Sequence, residues 1–250
     1  MAAINGGGAR AYNSGDVKGC VRVYADCIQA SLATSLPEGA RLILVRGRAA
    51  AGAAADWDGR AWALRDALDS LLAFGSGGPQ AGARLSFAGT RCRFLCVNDT
   101  VMGGRSSSTF SQSPTHASFE GVLSKGGGGG FASCRTAVEW DISSFANMRI
   151  CVRAKTGPVL YKLVLYDDSD VTWQHDFVVE ASSESWRVHD LPLSEFVPSW
   201  RGQVQTGKRL DRSAVRGVGL MVSFLTDKGG ANPLFREGKF GLDVEKIEAR

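Results

Sequence analysis

The feature that most constrains this chain is a change of period. Over residues 9–35 and 57–74 apolar side chains recur every three or four positions, whereas beyond the run GSGGPQAG at 75–82 they alternate one by one. A period near 3.6 buries one face of a helix and a period of 2 buries one face of a strand, so a single element type cannot serve both parts. The expected fold class is therefore α+β and mainly β. A small helical bundle over residues 1–78 leads through a linker at 79–86 to an antiparallel β-sandwich over 87–250. The Gly, Ser and Pro of the run between them lack apolar anchors, as a loop requires.

Residues 9–35 read as two helices around a tight Ser14-Gly15-Asp16 turn. Asp16 is placed to cap the second, because its side-chain oxygen can accept a free first-turn amide. Val17, Cys20, Val21, Tyr24, Cys27, Ile28 and Leu32 then share one apolar face. Tyr12, Gly15, Asp16, Cys20 and Tyr24 resemble one tetratricopeptide-like hairpin, but no second copy follows, and such repeats need stacked neighbours. A third helix is expected at 57–74, capped by Asp56, with Trp57, Trp62, Leu64, Leu68, Leu71 and Leu72 as core candidates. With Phe74 these are more apolar side chains than one short hairpin can bury. Trp57, Trp62, Leu68 and Leu72 are therefore also candidates for docking a partner.

Past the linker, short runs rich in Val, Ile, Phe and Tyr are separated by turn residues, as in a β-sandwich. In RICVRA, Ile150 and Val152 point one way and Arg149, Cys151 and Arg153 the other. YKLVLY is apolar on both faces and reads as an inner strand. The run Gly126–Gly130 reads as a hairpin tip, since no helix follows it to make a dinucleotide fingerprint.

Composition narrows the function classes. A net charge of +4 with interspersed acids lacks the concentrated basic patch of a nucleic-acid binder, so no specific nucleic-acid partner is expected. The six cysteines form no CxxC pair and only three histidines accompany them, which leaves no metal site and fits buried thiols in a reducing compartment. No apolar run approaches the roughly 20 residues that span a bilayer, and neither a signal-peptide nor a transit-peptide profile opens the chain. Asp167, Asp168 and Asp170 lack the EF-hand spacing and read as a solvated turn. Trp173, His175, Trp186 and His189 invite a sugar-stacking platform, yet aromatics on sandwich strands more often face the core. No G-x-S-x-G elbow and no Walker lysine are present. No catalytic residue and no cofactor is expected.

The stretch FLCVNDTVMGGRSSS at 94–108 is the one compact motif. Asn98 and Asp99 can satisfy turn amides, Gly103 and Gly104 permit positive φ or close backbone approach, and Ser106 can open the next strand. A phosphate loop would need a helix behind the glycines, and RSSSTFSQS alternates like a strand instead. A fold-defining corner is the favoured reading. Anion binding by Arg105 and adjacent amides, with Asn98, Asp99, Gly103, Gly104 and Ser106 around it, is the alternative.

VNDTVMGGRSSS is followed in order by FEGVLS, GGGGFASCRT, VTWQHDF, WRVHDLPLSEFVPSWRG and FGLDVEKIEA. This series resembles the complex I intermediate-associated protein 30 family over about residues 87–250. The resemblance implies a galactose-binding-like jelly roll. It also implies a non-enzymatic role as assembly factor or accessory subunit, with protein subunits of a large respiratory or photosynthetic electron-transfer complex as partners. Mitochondrion or plastid follows as the location, with cytoplasm as the alternative. The rival function is a carbohydrate-binding module of the same fold.

Overall fold

The computed structural model describes residues 7–36, 38–73, 83–88, 92–180 and 185–250. Phe74 and the linker run at 75–82 lie outside them. Two compact units result, one helical and one β.

The helical unit contains α1 (Ala9–Asn13), α2 (Val17–Leu32), α3 (Glu38–Ala53) and α4 (Trp57–Ala73). Asp16 caps α2 by accepting from the Gly19 amide at 2.8 Å, and Asp56 caps α4 through the Gly59 amide at 2.6 Å. Cys20, Tyr24 and Ile28 are buried, with Val17, Val21, Cys27 and Leu32 packed around them, so the apolar face of α2 is the one the spacing implied. The helix α3 is an addition to the sequence reading. Its unbroken Leu42-Ile43-Leu44-Val45 run and Ala-rich second half carry no clear stripe. It is recruited by packing: α4 lies between α2 and α3. At that contact a Cβ built on Gly47 would stand 2.2 Å from the Cβ of Ala67, so the helices meet on backbone and methyl groups. Trp57, expected in the core, is exposed instead, because it sits at the first position of α4, outside the packed face.

The β unit is formed by β1 (Arg84–Ser86), β2 (Leu95–Asn98), β3 (Ser107–Gln112), β4 (Ala117–Leu123), β5 (Phe131–Trp140), β6 (Asn147–Ala154), β7 (Val159–Tyr166), β8 (Thr172–Val179), β9 (Arg187–Pro192), β10 (Val197–Trp200), β11 (Gln203–Val204), β12 (Val215–Ser223) and β13 (Gly238–Ala249). One sheet runs β3-β4-β13-β6-β9, and β1 continues the line of β4 along the far half of β13. The other runs β11-β10-β8-β7-β12-β5-β2. All pairings are antiparallel, and the chain passes repeatedly from one sheet to the other, which makes a jelly-roll sandwich. As expected for an inner strand, β7 lies between β8 and β12. Ile150 and Val152 face the core.

Two expectations about this unit need correction. The strand β1 falls inside the stretch expected to be linker: Arg84, Leu85 and Ser86 pair with Glu248, Ile247 and Lys246, and Leu85 is buried. Three residues are too short for a visible alternation. Gly126–Gly130 is not a hairpin tip either, since it joins β4 in one sheet to β5 in the other.

Among the described residues no helix is long and apolar enough to cross a membrane; strands are not covered by that statement. All six cysteines are free. The four-residue spacing of Cys92 and Cys96 suggests one strand face, but Cys92 precedes β2; it is Cys134 that stands directly opposite Cys96, across β2 and β5.

Candidate functional site

The motif loop closes on a single carboxylate. After β2 the chain makes one tight turn over Asp99–Met102, then turns through Gly103 at φ 86°. Asp99 is wholly buried. Its Oδ1 accepts from the Ser106 amide at 2.8 Å. Its Oδ2 accepts from the Ser106 hydroxyl at 2.5 Å and from the Gly130 and Phe131 amides at 2.6 and 3.2 Å. The Gly104 amide donates to the Asp99 carbonyl at 2.9 Å. Ser106 in turn accepts from the Ser124 amide at 3.1 Å, and Asn98 accepts from the Ser108 hydroxyl at 2.6 Å.

This arrangement explains the glycines. A Cβ on Gly104 would lie 2.4 Å from Asp99 Oδ1, and one on Gly129 would lie 2.3 Å from Oδ2. Backbone can approach the carboxylate this closely only without side chains. The motif and the five-glycine run, read as separate features in the sequence, thus wrap the same acid. Asn98, Asp99, Gly103, Gly104 and Ser106 come together here, while Arg105 is exposed beside them. The amides of Ser106, Gly130 and Phe131 and the Ser106 hydroxyl all donate to the Asp99 carboxyl group, which is how this buried acid is satisfied.

The other sequence candidates separate. Trp173 faces the sandwich core, so it is not part of an open aromatic platform. Trp186 lies under Arg153 at 4.8 Å and edge-on to His116. Burial pushes His189 below the usual imidazole range. Asp167 ties its turn together: Oδ2 accepts from Trp173 Nε1 and from the Asp211 amide, both at 3.0 Å. Asp168 and Asp170 pair Arg216 and Lys208. No group of three metal-ligating side chains occurs among the described residues. In the bundle, Leu68 is buried in the helical core, so its side chain is spent on folding. Trp62 is half-buried, donating from Nε1 to Tyr12 Oη at 3.2 Å, and Leu72 is half-buried too. Trp57 alone of the four docking candidates is exposed, 43 %, with Lys18 and Arg60 over its ring.

Sequence reasoning missed a buried cluster on the outer face of the seven-stranded sheet. Lys162 pairs Asp176, and Asp176 and Asp227 exchange amide-to-carboxylate bonds of 3.0 and 2.9 Å. Burial pushes Lys162 below the usual lysine range and Asp176 above the usual carboxylate range, against the pull of their mutual bond. A lysine in the middle of a strand apolar on both faces was the available signal.

That cluster anchors the loop after β12, and the loop walls a cavity of about 210 Å³ at one end of the sandwich. Leu123, Val222, Phe235 and Phe240 line it, with Arg236 and Lys239. The motif node reaches the same end. A Cβ on Gly130 would stand 2.6 Å from Phe224, whose ring meets Phe235 edge-on.

A model of the family described as complex I intermediate-associated protein 30 matches residues 87–244. No curated protein matches the sequence. Among solved structures, the family 11 carbohydrate-binding module from Clostridium thermocellum, in complex with a mixed-linked tetrasaccharide, is similar at 11 % identity and TM-score 0.46, over 68 % of this chain and 97 % of that one. The agarase AgWH50C is similar at 12 % and 0.44, over 67 % of this chain and 25 % of that one. A family 30 carbohydrate-binding module of a Clostridium thermocellum cellulosomal cellulase follows at 10 % and 0.36, over 70 % and 94 %. At such identities and TM-scores the likeness carries no argument about a ligand.

Proposed function

Since the chain belongs to the complex I intermediate-associated protein 30 family, we propose that it is a non-enzymatic scaffold, an assembly or accessory component that binds protein subunits of complex I or a related membrane-bound electron-transfer complex. The observation that supports this reading beyond the family is how the motif is used. Its carboxylate, amides and hydroxyl satisfy one another, so the most distinctive residues hold a shape and leave no nucleophile or general base poised in a cleft. A shape-holding domain works through its surfaces. In the bundle, Trp57 offers a large exposed ring, and tryptophan is enriched among residues that dominate interfaces. The organelle in this reading is the one that houses the complex, mitochondrion or plastid.

Sedimentation of the tagged full chain from native membrane extracts tests the proposal. The chain is expected to travel with an assembly many times its own mass, and Trp57→Ala is expected to weaken that association at unchanged thermal stability. A chain that sediments only as a monomer, in extracts where the assembly itself is intact, would sink the scaffold reading.

A further inference from the structure

The cavity at the end of the sandwich is built like a receptor for something the fold itself does not supply. Its walls are fixed. Leu123, Val222 and Phe240 stand on paired strands, and the loop that closes it is bonded throughout. Leu225 bridges Ala231, Asn232 Nδ2 donates to the Ser223 carbonyl at 2.8 Å, and the Leu234 amide donates to Asn232 Oδ1 at 2.8 Å. The Lys162–Asp176–Asp227 cluster pins the base of that loop. A site formed in advance does not have to spend binding energy on ordering itself.

The chemistry of the lining is divided. The interior is aromatic and aliphatic, whereas Arg236 and Lys239 stand exposed at the lining and Lys125 Nζ lies 5.1 Å over the Phe235 ring. Among the described residues none of these three cations has a carboxylate partner in an ion pair; Arg236 Nη1 donates only to neutral acceptors there, the Pro233 and Phe235 carbonyls at 3.1 and 2.8 Å. Glu237, next to Arg236 in the chain, accepts from the Lys125 amide at 3.0 Å. The contrast with neighbouring strands is sharp: Arg149, Arg153 and Lys155 pair Asp190, Asp243 and Glu120. An apolar hollow lined at its edge by cations in excess of acid, two in the lining and Lys125 beside it against Glu237, is complementary to a molecule that is apolar at one end and anionic at the other. The cavity of about 210 Å³ is well above the roughly 10–15 Å³ that a single water needs and leaves room for a small organic body.

We propose that this cavity is a binding site for a small amphipathic anion: a short aliphatic or aromatic body seated against Phe235 and Phe240, with a carboxylate at Arg236 and Lys239. The site is independent of the scaffold reading and stands or falls without it.

The test uses the full chain and two probes, heptanoate and 3-phenylpropionate, followed by amide chemical shifts. Saturable shifts are expected at Leu123, Gly157, Val159 and the 234–240 segment. The neutral amides of the same bodies are expected to bind at least tenfold more weakly, as is the Arg236→Gln/Lys239→Gln double variant, whose two exposed positions leave the fold intact as judged by its spectrum. Inorganic phosphate, a head without a body, is expected to leave the apolar wall unshifted. The proposal is overturned if the acids produce no saturable shifts at this end, if acid and amide bind equally, or if the double variant binds like the native chain.

Discussion

The helical bundle and the sandwich bury their interiors with different materials. In the bundle the core includes Cys20, Ala51, Ala61 and Ala67 beside Ile28, Leu44, Leu64 and Leu68, and its buried polar contacts are short-range in sequence or on facing helices. Arg65 donates to Asp69 one turn away, and also reaches Tyr24 on α2. In the sandwich the core is Phe, Trp, Ile and Val on long paired strands, and the buried carboxylates reach far along the chain. Asp99 is bonded to Gly130, and Asp243 to Ser118, 125 positions away. The difference teaches where each unit is vulnerable. A helix packed on methyl groups distributes its stability over many small contacts. A jelly-roll corner concentrates it in one acid that several buried donors share.

The largest effect expected from that contrast is at Asp99. Asp99→Ala deprives three amides of their acceptor, while the Ser106 hydroxyl keeps the Ser124 carbonyl; each buried donor left unpaired costs about 1–3 kcal/mol, so a loss of about 4 kcal/mol is expected after water relieves part of it. Arg105→Ala, one residue from the same node but exposed, is expected to cost under about 0.5 kcal/mol. Urea melts measure both, and hydrogen exchange in β3 and β5 should rise only in the first. Equal stability of the two variants would break the comparison.

A smaller effect is expected in the bundle. Gly47→Val forces side-chain atoms into the Ala67 contact and should cost about 2 kcal/mol, the usual range for overpacking. Hydrogen exchange should then accelerate in α3 and α4 and stay unchanged in the sandwich strands. Coupled acceleration in both units would show that they are not energetically separate.

The smallest effect sharpens the electrostatic side. Burial alone would raise the Asp243 carboxyl, but the Ser118 hydroxyl, Arg153 and the nearby Lys155 and His116 outweigh it and hold the group below the usual carboxylate range. A lowered folded value means its stabilisation is fully present above the ordinary value of about 4 and is lost as pH falls through the folded one. Asp243→Asn should therefore melt lower than the native chain at neutral pH, with the gap closing below about pH 4. Thermal melts across that range decide it; a gap that stays constant with pH would mean the charge is not what stabilises the native protein.

Much of this architecture was legible before any coordinates. The change of period separated helices from strands because burial on one face imposes its own spacing on each element. Asp16 and Asp56 were readable as caps because a cap acts within three residues of itself. The inner position of β7 followed from its two apolar faces. Less could be read where an element takes its form from distant neighbours. The helix α3 has no stripe of its own and forms against α4, and β1 is three residues long and exists as a strand only through β13. Trp57 had the composition of a core residue and the position of an exposed one.

Local spacing and residue type sufficed for the succession of helices then strands, for the family and for a turn rich in glycine after β2. What the motif does is set by contacts between segments far apart in the chain. Asp99 and Gly130 are 31 positions apart, and nothing local to either says that one accepts from the other. The same holds for Lys162, Asp176 and Asp227, and for the cavity they steady, whose walls come from four separate stretches of chain. Hydrogen bonds and hollows of this kind arise from the meeting of backbone segments in space, and a one-dimensional pattern has no period that encodes them.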